Sequence, residues 1–121
     1  MYVKDILALG EKVTLKGLAH ITGSGLPGNV PRCLPDGTRA VLRESAWTRA
    51  PIFDVLQKLG EVERAEMFNT FNMGLGMTVV LAAADVQPAL DLLKARDLDA
   101  WDVGVIEAGT PGAEAEARVD P

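Results

Sequence analysis

Apolar residues recur along this chain in two periods, and the switches between them mark out its elements. At the amino end Ile6, Leu7 and Leu9 sit at helical positions, so Val3 to Leu9 reads as a short helix stopped by Gly10. Val13 to Ile21 reads as a strand. Its Leu15, Leu18, Ala19 and Ile21 put apolar groups on both faces, as a central strand requires. A glycine-rich turn at Gly23 to Gly25 launches a short helical segment that must end near Pro31, because proline removes a donor and clashes with the preceding turn. Pro35-Asp36-Gly37 signals a turn, and Thr38 to Leu42 follows as a strand.

Thr48 is placed to cap a helix that has Pro51 in its first turn. Along it Ile52, Val55, Leu56 and Leu59 repeat at helical spacing until Gly60 closes it. A further helix runs from about Val62 to Thr70, with Ala65, Met67 and Phe68 inward. Asn72-Met73-Gly74-Leu75-Gly76 is a second glycine-rich junction, leading into Met77 to Ala82 as another buried strand. Asp85 can cap the helix to Ala95, with Val86, Leu90 and Leu93 inward and Lys94 and Arg96 near its end. Ala100 to Ile106 is the last predicted strand. From Gly109 onward there is almost no apolar content, which predicts a frayed tail. Interleaved strands and helices of this kind predict a sheet with helices packed on it.

A chain of 121 residues, 48% of them apolar, has the material for one compact domain with a real core. The net charge is −5 and the basic residues are scattered, which argues against a nucleic-acid or anionic-membrane surface. A single cysteine, Cys33, cannot form an intramolecular disulfide and fits a reducing, cytoplasmic compartment. No charged segment followed by a long apolar run indicates a signal peptide or a membrane span. Met1-Tyr2-Val3-Lys4 reads as an apolar strand end with no lead-in and no cap, as in a piece of something longer.

Candidate chemistry centres on the first glycine turn. Gly23-Ser24-Gly25-Leu26-Pro27-Gly28 is a literal G-x-G-x-x-G, with Glu44 roughly where a ribose-binding acid would stand. The dinucleotide fingerprint needs an uninterrupted helix after its glycines, and Pro31 denies it one. A looser role for Thr22 to Gly25 as an anion-binding turn stands beside that of a plain strand-to-helix connection, and the pattern leaves both open. His20, the only histidine, lies at the end of the predicted buried strand, where a core histidine bonded to backbone is the commoner outcome. With no second histidine and no cysteine cluster there is no zinc site. Cys33 reads as a buried, inert thiol. Gly74 reads as a left-handed helix terminator and Gly76 as a close-packed strand entry, although two glycines beside Asn72 could also line a ligand. The carboxylates show no convergent pair for acid–base work.

The run Gly17-Leu18-Ala19-His20-Ile21-Thr22-Gly23-Ser24-Gly25-Leu26-Pro27, followed by Asn29, Pro31, Arg32, Leu34 and Pro35, closely resembles the C-terminal domain of the phosphoribosylformylglycinamidine cyclo-ligases, or aminoimidazole ribonucleotide synthetases. The resemblance continues through Trp47, Pro51-Ile52-Phe53 and Leu56-Gln57. It is strongest from Glu66 to Met77, and it closes at Val103-Gly104-Val105-Ile106. It covers residues 1–109 and leaves 110–121 as a flexible tail. Two departures stand out: Ser24 replaces the middle of three consecutive glycines, and Gly28 stands where the family tends to carry a longer polar residue.

This resemblance implies an α+β fold, a mixed sheet flanked by helices in three α/β/α layers and partly ferredoxin-like. It implies ATP- and Mg²⁺-dependent closure of an imidazole ring on formylglycinamidine ribonucleotide, in purine biosynthesis. The family's N-terminal domain, which carries the acidic Mg²⁺–ATP motif and much of a homodimer interface, has no counterpart in this sequence. The fragment alone is therefore expected to be inactive and to bind no cofactor. By the same resemblance His20 becomes a site residue, with Thr22, Gly23, Ser24, Gly25, Asn72 and Gly74 lining the side that meets substrate and phosphate. The alternative is a stand-alone binding or assembly module that kept the fold without catalysis.

Overall fold

The computed structural model describes residues 2–121. The chain runs α1 (Val3–Lys12), β1 (Gly17–His20), α2 (Gly25–Asn29), β2 (Thr38–Arg43), α3 (Pro51–Gly60), α4 (Arg64–Thr70), β3 (Met77–Val80), α5 (Val86–Ala95), β4 (Gly104–Ala108) and β5 (Glu116–Asp120), with 3₁₀ turns at Val30–Cys33, Glu44–Ala46 and Ala83–Asp85. It is an α+β fold whose sheets are flanked by helices. The strands divide between two sheets instead of joining one. β1 and β3 pair antiparallel, with Gly17 opposite Val80 and His20 opposite Met77. β2 is central in the other sheet, antiparallel to β4 and parallel to β5.

Several sequence expectations change here. Val3 and Lys4 lie in α1, so the opening is no strand end (Met1 lies outside the described residues). α1 runs through Gly10 to Lys12, and the Val13 amide donates to the Leu9 carbonyl at 2.9 Å to close it. β1 is half of a pair, not a central strand. Its residues alternate, with Ala19 and Ile21 buried and Leu18 and His20 exposed. The expected tail contains β5, and residues 116–120 run beside the central strand in register, Ala40 opposite Ala117 and Leu42 opposite Val119. Arg39 ties it there, bonding Glu107 of β4 at 2.9 Å and Glu116 of β5 at 3.2 Å. The Glu-Ala-Arg-Val-Asp alternation is a strand pattern whose partner is remote in sequence, so its length and polarity alone read as tail.

α3 is capped at Ala50, not Thr48, and ends on Glu61 in the left-handed region at φ 51°. Its apolar stripe faces solvent: Ile52, Val55, Leu56 and Leu59 are all exposed, Leu59 to 80%. Only Phe53 turns inward to Phe71, ring centroids 6.1 Å apart. On α4 Met67 and Phe68 are buried while Ala65 is exposed. Asp85 stands at the N-cap of α5 without a capping bond from its side chain.

The main core gathers Leu26, Val30, Leu42, Trp47, Met67, Phe68, Met73 and Leu75. Trp47 anchors it, its indole N–H donating to the Met73 carbonyl at 3.0 Å and its ring meeting Phe68 edge-on. Leu9, Val13 and Ala89 form a smaller cluster between α1 and α5. An ion-pair chain crosses the outside: Glu44 binds Arg49 and Arg64, Arg49 also holds Asp54, and Arg64 lies 4.9 Å over the Phe68 ring.

Candidate functional site

β1 ends where its pairing does. His20 faces Met77, the Ile21 amide donates to the Gly76 carbonyl at 3.0 Å, and Ile21 then buries its side chain. The two glycine-rich junctions thus meet at one end of the β1–β3 pair. Each reverses the chain with two consecutive left-handed residues: Ser24 and Gly25 at φ 78° and 58°, Met73 and Gly74 at φ 53° and 98°.

The first turn is stapled from inside. Asn29, 3% exposed, donates from Nδ2 to the carbonyls of Thr22, Gly23 and Gly25 at 3.2, 2.9 and 2.8 Å. Its Oδ1 accepts from the Thr22 hydroxyl at 3.3 Å. The Gly25 amide donates to the Thr22 carbonyl at 3.0 Å, closing the turn. Gly25 is buried, and a Cβ there would stand 1.7 Å from the Phe68 carbonyl oxygen. Its missing side chain admits the end of α4. Gly23 is exposed with open space beside it.

His20 is exposed, not a core histidine, and its ring meets that of Tyr2 edge-on at 6.5 Å. Beside it opens a pocket of about 320 Å³ lined by His20, Thr22, Asn29, Arg32 and Cys33 with the β1 residues Leu18 and Ala19. That volume is at the small end of ligand pockets. Arg32 reaches it because Pro31 converts the end of α2 into a 3₁₀ turn, which carries residue 32 back towards β1. Sequence reasoning had Arg32 only as a matching position. The available signal was a lone arginine directly after the proline that ends the glycine-turn helix.

Asn72 and Gly74 do not line this pocket. The Gly74 amide donates to Asn72 Oδ1 at 2.9 Å, a turn that closes on itself, and Gly74 lies against Arg49. A larger, chiefly apolar groove of about 950 Å³ runs between β3 and α5 on one side and β2 and β4 on the other. Gly74 borders it, His20 and Thr22 do not.

Cys33 is half-buried and donates to the Val30 carbonyl at 3.2 Å. Burial pushes its thiol above the usual range, and a backbone hydrogen bond opposes that shift in part. The fold therefore favours the neutral thiol. That contribution is complete below the ordinary thiol range and is lost as pH rises through the raised folded value. Alkylation by iodoacetamide near neutral pH is expected to be slower in the folded chain than in the same chain in urea, with its rise displaced to higher pH. Equal rates in the two states would refute this.

Among the described residues no three His, Cys, Asp or Glu side chains are placed to hold a metal ion. No helix is long and apolar enough to cross a membrane.

The family described as AIR synthase related protein, C-terminal domain, matches residues 1–114. Phosphoribosylformylglycinamidine cyclo-ligase of Myxococcus xanthus (strain DK1622) is 61% identical over 121 residues, which is 100% of this chain and 34% of that protein. The protein of the same name from Anaeromyxobacter dehalogenans (strain 2CP-1 / ATCC BAA-258) is 59% identical over 112 residues, 93% of this chain and 32% of its own length. That of Anaeromyxobacter sp. (strain Fw109-5) is 57% identical over 116 residues, 96% of this chain and 34% of its own. The chain spans about a third of the length of the curated relatives it matches.

Proposed function

The chain belongs to the family of AIR synthase related proteins, C-terminal domain, and on that premise we propose that it serves as the C-terminal domain of a phosphoribosylformylglycinamidine cyclo-ligase. The likeness to cyclo-ligases across its whole length carries this reading. The reaction closes the imidazole ring of aminoimidazole ribonucleotide from formylglycinamidine ribonucleotide, in purine biosynthesis. ATP with Mg²⁺ supplies the phosphoryl group that converts a poor leaving oxygen into phosphate. By the same reading the acidic motif that holds this pair belongs to the family's N-terminal domain.

This chain supplies one wall of the cleft. His20 and Thr22 face the pocket, Gly23 and Ser24 form the exposed rim of the turn, and Gly25 with Asn29 holds that rim rigid. Asn72 and Gly74 stand at the same end of the β1–β3 pair but outside this pocket, with Gly74 on the edge of the larger groove. The work of such a wall is positioning, so rigidity is what the turn contributes. The solvent-facing stripe of α3 and the exposed Val105 and Ile106 on the edge strand β4 are the apolar surfaces on which an N-terminal domain and a second copy pack, in a cytoplasmic homodimer.

The test joins this chain to the N-terminal two thirds of the Myxococcus xanthus relative and follows ATP-dependent formation of aminoimidazole ribonucleotide. The fusion is expected to turn over and the isolated chain to be inactive. A folded fusion without activity overturns the reading and leaves a binding or assembly module.

A further inference from the structure

We infer that Arg32 is the side chain that holds phosphate in the pocket at the end of β1, gripping the phosphomonoester of a phosphoribosyl ligand beside His20. The identity of that ligand rests on the cyclo-ligase reading. The choice of residue rests on the geometry.

The chain carries more acid than base, at net charge −5, yet no Asp or Glu lines this pocket. Of its seven arginines, Arg39, Arg49, Arg64, Arg96 and Arg118 each hold a carboxylate. Among the described residues Arg32 and Arg43 hold none, and of these two only Arg32 faces the pocket. Its neighbours there are already committed. The Asn29 amide serves three carbonyls, the Thr22 hydroxyl serves Asn29, and the Gly25 and Gly28 amides close the turn within the backbone. Among the side chains lining this pocket, that leaves the guanidinium and the imidazole free to meet an oxyanion. A guanidinium presents a planar fork of donors that matches two phosphate oxygens at once, which a lysine cannot reproduce.

Phosphoryl oxygens could come from a phosphoribosyl group or from a nucleotide, and the experiment separates them. The ¹⁵N-labelled chain is titrated at fixed ionic strength with ribose 5-phosphate, ribose or ATP, following the Arg32 Nε–H and His20 ring resonances. Ribose 5-phosphate is expected to shift both saturably and ribose to shift neither. Arg32→Gln should raise Kd by about tenfold or more, and Arg32→Lys should lie between, keeping charge without the fork. The exposed position of Arg32 leaves the melting temperature of both variants nearly unchanged. Unshifted resonances, or equal affinity in Arg32→Gln, overturn the assignment, and so does tighter binding of ATP at the same resonances. Loss of ribose 5-phosphate binding in Arg32→Gln together with an inactive fusion would uphold the phosphate site while removing the cyclo-ligase reading.

Discussion

Gly25→Ala is expected to destabilise the chain by about 2–5 kcal/mol, lowering its thermal midpoint by about 10–20 °C. Two costs add. An alanine at φ 58° is in the left-handed region, which disfavours any Cβ, and that Cβ would sit 1.7 Å from the Phe68 carbonyl oxygen and 3.0 Å from that of Phe71. Both obstacles are backbone atoms at the end of α4, so no side-chain rotation relieves them. Gly23→Ala is the internal control. It lies two residues away in the same motif, its φ is not positive, and nothing stands within 4 Å of its added Cβ. That variant is expected to melt within about 0.5 kcal/mol of the parent. Circular dichroism melts of the two chains decide the matter, and equal midpoints would show that the turn does not pack on α4.

Gly28→Ala is expected to cost about 1–3 kcal/mol, and Ser24→Gly is expected to remove most of that cost. At φ 78° Ser24 swings its Cβ inward, to 2.4 Å from where a Cβ at residue 28 would be. The Gly28 amide donates to the Ser24 carbonyl at 3.1 Å, which holds the two residues together. The Ser24 side chain has room at this point because residue 28 carries none. A double-mutant cycle read from denaturant midpoints should return a coupling of the same size as the Gly28→Ala penalty. Additive effects would mean the two departures are independent.

The local elements were legible because their signals are local. The helical spacing of α4 and α5, the turn at Pro35-Asp36-Gly37 and the break at Pro31 each depend on residues within a few positions. Of the residues that the resemblance marked, His20 and Thr22 share a pocket. The fold adds that Gly25 packs against α4 and that Arg32, a matching position without an assigned role, lines the same pocket as His20. Neither was readable from spacing, because Phe68 and Arg32 reach their partners through separate elements.

What the sequence by itself determined is therefore the identity of the family and the order of helices and strands across most of the chain. Tertiary structure alone decided which strands pair, that the apolar stripe of α3 faces solvent, that the acidic end of the chain is β5, and which groups of the glycine turn remain free. The division follows from range. Periodicity and capping report the nearest neighbours of a residue, whereas pairing, burial and hydrogen-bond commitment depend on atoms brought together from distant parts of the chain.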